Sequence, residues 1–170
     1  MLEIRKETEN DYKEVYNVVK TAFETAEHSD GNEQDLVNEL RNSDNFIPEL
    51  SLVAIENNKI VGYILFTKIE LGNNTEIALA PLAVLPEYQK QGVGSKLIEE
   101  GHKIAKKLGY HFSIVLGSEK YYPKFGYVPA IQYEIEAPFD VFSENFMAKK
   151  LNDTNTEIKG VVRYAKEFGI

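Results

Sequence analysis

A chain of 170 residues is long enough for one well-buried domain and short for two. It has no cysteine, which excludes disulfides, thiolate metal sites and a cysteine nucleophile. Its net charge of −8 argues against a nucleic-acid surface and favours cationic partners, and no apolar run approaches a membrane span.

The N-terminus MLEIRKETEND lacks the charged-then-apolar pattern of a signal peptide, so the expected location is cytoplasmic. Leu2 to Glu7 reads as a short strand. Thr8 or Asn10 then caps a helix with the buried stripe Tyr12, Val15, Tyr16, Val19, Ala22 and Phe23. A polar stretch from Glu24 to Asn32, with a turn at Asp30-Gly31, leads to a second helix marked by Leu36, Val37 and Leu40. The segment from Asn42 to Glu49 is expected to be irregular.

Three strand signals follow. LSLVAIE meets KIVGYILFTKIEL across Asn57-Asn58, a hairpin turn, and EIALAPLAV follows Gly72-Asn73-Asn74-Thr75. A helix with the small and apolar positions Leu97, Gly101, Ile104, Ala105 and Leu108 ends at Lys106-Lys107-Leu108-Gly109, and HFSIVLG reads as a buried strand. Strand, helix and strand in succession predict a parallel crossover within a mixed sheet. YEIEA and GVVRY read as strands, while NFMAKKL fits a strand or a helical turn. No repeat, linker or composition break divides the chain, so one α/β domain is expected over 1–170.

QKQGVGSKL places Gly92 and Gly94 at the strand-to-helix junction. The first amides of a helix have no intrahelical partners and carry the positive end of its dipole, so they suit an anion. The stretch is neither a Walker A loop nor a full dinucleotide fingerprint. Pro81 cannot donate to a ladder, so a bulge there would splay its strand and free backbone groups of Leu82 to Val84. A wedge between parallel strands, ending beside free amides, suits an amide-bearing chain with a diphosphate at one end.

At this point the sequence resembles the GNAT superfamily of acetyl-CoA-dependent N-acetyltransferases. LEIRKETENDYKEVYNVVKTAF resembles its opening strand and helix, and PLAVLPEYQKQGVGSKLIEEG its acyl-CoA motif. YYPKFGY resembles its tyrosine signature. The resemblance implies a twisted mixed sheet of six or seven strands flanked by helices. It also implies acetyl transfer from acetyl-CoA to a primary amine, small-molecule or peptide, by direct attack. A non-catalytic acyl-CoA sensor or partner subunit is the alternative. A homodimer is left open, and no metal, nucleic acid or membrane is implied.

In that family pattern, backbone amides of Gln91, Gly92, Val93, Gly94 and Ser95 hold the pyrophosphate, with Lys90 adding charge or standing solvated. Gln89 occupies the motif's first polar position. Leu82, Ala83 and Val84 form the strand end, with Leu82 and Val84 pairing through their backbone with the pantetheine amides. Tyr122, four residues before Gly126, is the expected general acid, with Tyr121 its rival. A phenol near 10 stays protonated at neutral pH and can protonate a thiolate.

An alkylamine near 10.4 costs about 4.6 kcal/mol to neutralise at pH 7, so a carboxylate base is wanted. Ala80-Pro81 supplies none where many family members carry a glutamate. Glu33 is the expected base, with Glu24, Glu27 and Asp30 competing. His28 is a candidate proton shuttle, and His102 is expected on a solvated helix face. No histidine pair has metal spacing. Lys103, Lys106 and Lys107 either reach a ribose phosphate or complement the helix C-terminus.

Overall fold

The computed structural model describes residues 1–24 and 31–170. Glu27, His28 and Asp30 lie outside the described residues. Strand β1 (Glu3–Lys6) leads to a single 3-10 turn and helix α1 (Tyr12–Phe23). Asp11 closes that turn by accepting from the Thr8 N–H at 2.7 Å and from Arg5 at 2.7 and 3.1 Å. The Arg5 hydrogen bond, above all, holds its carboxyl down to about 2. Val15, Val18 and Val19 form the buried stripe of α1. Tyr12, expected inside, is exposed and carries the Arg41 guanidinium 4.0 Å over its ring.

Helix α2 (Glu33–Arg41) buries Val37 and Leu40. Three long strands follow: β2 (Phe46–Glu56), β3 (Lys59–Leu71) and β4 (Asn74–Val84). Strand β2 starts inside the segment expected to be irregular, but its pairing with β3 breaks between Phe46 and Ser51. Asn57 and Asn58 take φ of 52° and 63°, the left-handed pair that a two-residue hairpin of matching twist requires.

Helix α3 (Val93–Lys107) then runs to β5 (Phe112–Leu116), which pairs parallel with β4 as expected. Gly101 lets α3 approach the sheet, since a Cβ there would lie 2.3 Å from the Phe66 ring. Strands β6 (Val128–Pro129), β7 (Ile135–Glu136), β8 (Phe146–Lys150) and β9 (Gly160–Arg163) complete the described sheet.

The sheet is mixed and flanked by helices. It has nine described strands rather than six or seven: β1-β2-β3-β4-β5-β8-β6 in order, with β9 on β3 and β7 on β9. The two-residue strands β6 and β7 exist only through their partners, so no local pattern announces them. NFMAKKL is a strand, and most of YEIEA is not. One apolar core lies between α1, α2, α3 and the central strands, and a second lies under β5, β8 and β9.

A buried polar cluster ties the N-terminal half together. Arg41 bonds both oxygens of Glu7 at 2.9 Å, Ser51 Oγ donates to Glu7 at 2.6 Å, and Tyr63 Oη lies 2.6 Å from Ser51. Every member has a partner, which is the condition for burying charge without a large penalty.

Candidate active site

The site begins where β4 and β5 part. They pair only at Ile77 with Ser113 and Ala78 with Ile114. Beyond these, the β3–β4 register shifts between Ile64 and Phe66, opposite the Ala80-Pro81 step. The shift is the bulge expected from a proline without an N–H. Leu85 donates to the Val61 carbonyl at 2.9 Å, so alternation turns Ala83 toward β3 and turns the backbone of Leu82 and Val84 to the open side. The Gln89 amide reaches back to the Val84 carbonyl at 3.1 Å.

Gly92 caps α3 in the left-handed region at φ 87°, with no side chain to occupy the helix start. The amides of Val93, Gly94 and Ser95 therefore lack both a carbonyl one turn earlier and a capping side chain. No acidic residue stands in this first turn to neutralise the dipole.

These two features meet in a cavity of about 650 Å³. Leu82, Val84, Gln89, Lys90, Gly92, Gly94 and Ser95 line it, joined by Tyr88, Tyr121 and Lys124. The side chains of the other three residues of the expected coenzyme set are turned away. Ala83 is buried toward β3, Val93 packs against Gly62, and the Gln91 side chain donates to the Glu87 carbonyl at 3.0 Å.

The two tyrosines occupy different places. Tyr121 lines the cavity, and a Cβ added to Gly94 would lie 2.7 Å from its hydroxyl. Tyr122 packs against Gly117, where a Cβ would lie 2.4 Å from its ring, and meets Tyr127 edge-on. Burial raises both phenols above their ordinary range, Tyr122 more strongly, while the Ser95 side chain partly offsets the effect at Tyr121. Both therefore stay protonated at neutral pH.

Glu33 opens α2 and is half-buried. A second cavity, of about 410 Å³, lies between α2, the end of β5 and the C-terminal segment. Its carboxylates are Asp35, Glu39 and Glu167, and Phe139 and Phe168 supply aromatic wall; Glu33 is not among its lining residues.

The acetyltransferase (GNAT) family model matches residues 12–127, more than half of the chain. The chain belongs to the GNAT acetyltransferase family. The relatives agree. The Escherichia coli protein named as the uncharacterized N-acetyltransferase YjhQ is 37% identical over 141 residues, which cover 78% of each chain. Among solved structures, the E. coli GNAT protein YhbS in complex with CoA is similar at TM-score 0.89 and 26% identity, covering 99% of this chain and 92% of that one. A GNAT family acetyltransferase from Brucella melitensis in complex with acetyl-CoA gives TM-score 0.81 and 29% identity, covering 99% and 98%.

Within this GNAT frame the family match runs from α1 through Tyr127 and takes in the whole of the 650 Å³ cavity. One expectation is corrected inside it. His102 does not stand on a solvated face: its Nε2 lies 2.8 Å from Tyr127 Oη, which in turn lies 2.8 Å from Ser113 Oγ. Burial, with a smaller contribution from the Lys149 charge, pushes its imidazole down to about 4. Tyr88 and Lys124 are cavity residues that the sequence reading missed. Lys124 stands inside the Tyr-Tyr-Pro signature, directly after Pro123. No helix among the described residues is long and apolar enough to cross a membrane.

Proposed function

We propose that this protein is an acetyl-CoA-dependent N-acetyltransferase that passes the acetyl group to a primary amine. The observation that carries the reading is the junction of two features: backbone freed by the β4–β5 splay, and uncapped amides at the start of α3. The outward-turned Leu82 and Val84 backbone suits an amide-bearing arm, and the amides of Gly92 to Ser95 suit a pyrophosphate. The two relatives whose structures hold CoA and acetyl-CoA support the same ligand.

In this reading the amine nitrogen attacks the thioester carbonyl directly. The C–N bond forms, the C–S bond breaks, a carboxylate takes the amine proton, and a tyrosine phenol protonates the departing thiolate. Glu33 is the proposed base, at the start of the helix that borders the acidic cavity. Tyr122 is the proposed acid by its place in the signature. A second reading gives that step to Tyr121, because it is Tyr121 that lines the cavity.

Calorimetric titration with CoA and acetyl-CoA tests the coenzyme site. Wild-type protein binds in the micromolar range, and Gly92→Glu, which sets a carboxylate beside the free amides, loses at least about 100-fold. Thiol release with an amine panel then separates the acids: Tyr122→Phe lowers turnover more than Tyr121→Phe if Tyr122 donates, and the order reverses if Tyr121 does. Coenzyme binding without turnover on any amine, in wild type and both variants, would instead favour a non-catalytic acyl-CoA sensor.

A further inference from the structure

The second cavity, of about 410 Å³ between α2 and the C-terminal segment, carries charge of one sign. Asp35 and Glu39 stand one turn apart on α2, and Glu167 joins them from the 3-10 turn Lys166–Phe168. Among the described residues no lysine, arginine or histidine lines it, and Lys166, next to Glu167, borders a different cavity. The rest of the wall is mostly apolar, with Leu36, Leu116 and Ile170 beside the rings of Phe139 and Phe168. Tyr164 stands against both rings, 6.2 Å from Phe139 and 5.4 Å from Phe168 between centroids. A cleft of one sign between apolar walls concentrates the opposite charge.

Glu167 separates this cavity from an ordinary acidic surface. Its Oε1 is fully buried and has no hydrogen-bond partner among the described residues. A buried carboxylate oxygen without a partner is costly, and a cation that arrives beside it relieves the cost. Asp35 accepts from the Tyr16 hydroxyl at 3.0 Å, and none of the three carboxylates takes part in a described ion pair. The neighbouring ring faces also suit an ammonium group. One ammonium answers one carboxylate, so carboxylates on two walls fit two or more, joined by methylenes that cover the apolar surface between them. An amino acid brings a carboxylate that all three would repel, and a sugar amine brings hydroxyls that apolar walls cannot pair. The cavity also adjoins the proposed chemistry: Leu116 lines it, and the next residue, Gly117, lies under the Tyr122 ring.

We propose that the acceptor is a linear aliphatic polyamine, bound in this second cavity with one ammonium seated on Glu167. The inference rests on the acetyl-CoA reading above and names the acceptor class within it. One terminal nitrogen, as the free amine, receives the acetyl group by the step already given. The remaining ammonium groups keep their charge and hold the chain in the cavity.

Calorimetry on the CoA-saturated full chain tests this, with spermidine, 1,4-diaminobutane, 1-aminobutane and free lysine as titrants. Spermidine is expected to bind at least about tenfold more tightly than 1-aminobutane, with 1,4-diaminobutane between them and lysine weaker than 1,4-diaminobutane. Thiol release from acetyl-CoA should follow the same order. Glu167→Gln, which keeps the shape and removes the charge, is expected to raise the Kd for spermidine about tenfold. Glu39→Gln, at an exposed position on α2, should raise it less, and both variants should bind CoA as wild type does. Equal affinity for spermidine and 1-aminobutane, or for lysine and 1,4-diaminobutane, overturns the proposed class. Spermidine binding unchanged in Glu167→Gln overturns the seat and marks diffuse attraction to a chain of net charge −8. CoA binding with no amine binding overturns this inference alone, whereas failure of wild-type protein to bind CoA sinks the acetyl-CoA reading and this inference with it.

Discussion

Two polar clusters in this molecule are built on opposite plans. The Glu7–Arg41–Ser51–Tyr63 cluster is buried, made of side chains, and complete, with each group bonded to another. The start of α3 is accessible, made of backbone, and incomplete, with three amides that have no protein partner among the described residues. The first plan fixes structure, because buried charge is tolerated only when paired. The second leaves free energy for a ligand to gain, because each amide still wants an acceptor. A complete cluster should fail through stability, and an incomplete one through binding.

The largest effect expected from that contrast is at Arg41. Its side chain is 6% exposed and that of Glu7 is 3% exposed. Arg41→Ala strands a buried carboxylate, and chemical denaturation should show a loss of about 3–5 kcal/mol. Coenzyme affinity of the protein that stays folded should not change. Replacing both partners together, as in Glu7→Leu with Arg41→Met, should recover much of the loss, since an apolar pair leaves no orphan charge. A double variant as unstable as Arg41→Ala would show that the cluster holds the fold by more than its own satisfaction.

His102 lies between the two plans, half-buried and partnered, yet titratable. Its folded pKa, pushed down to about 4 by burial, lies below the unfolded value near 6.5. As pH falls the unfolded chain therefore takes up the proton first. The contribution of the neutral imidazole is full above about 6.5 and is lost as pH falls toward 4, amounting to about 3 kcal/mol across that window. Asp11 is also depressed, to about 2, but its loss begins lower, below about 3.8. The difference between wild type and His102→Gln, followed by thermal melts from pH 7 to 4, isolates the histidine. Parallel pH profiles for the two proteins would refute the assignment.

What the sequence disclosed follows from how far each feature reaches along the chain. The glycine junction, the proline bulge and the hairpin at Asn57-Asn58 are local, and each is written within a few residues. The complete clusters are not: Arg41 lies 34 residues from Glu7, and Tyr127 lies 25 from His102. Beside Glu100 and Lys103, a histidine on α3 looks solvated until its distant partner is known. The choice of Tyr122 over Tyr121 rested on place in the signature alone for the same reason, because what separates them in space is contact with Gly117 and with Gly94, on different elements. The second cavity is least legible, since its walls come from α2, the end of β5 and the C-terminal segment together.

The smallest effect expected is at Gly92, and it separates two reasons for a glycine. A side chain could be excluded there by crowding or by backbone conformation. A Cβ at Gly92 meets nothing within 4 Å, whereas φ is 87°. Conformation alone is then at stake, and a left-handed L-residue costs about 1–2 kcal/mol. Gly92→Ala should lose that much in denaturant midpoint stability, and Gly92→Asn should lose less, because asparagine tolerates this region better. Coenzyme affinity in Gly92→Ala should stay close to wild type, in contrast to the Glu variant, since a methyl group in open space blocks no amide. Stability equal to wild type, with affinity lost, would mean that the open space at Gly92 is filled by the ligand itself and that close approach is what the glycine serves.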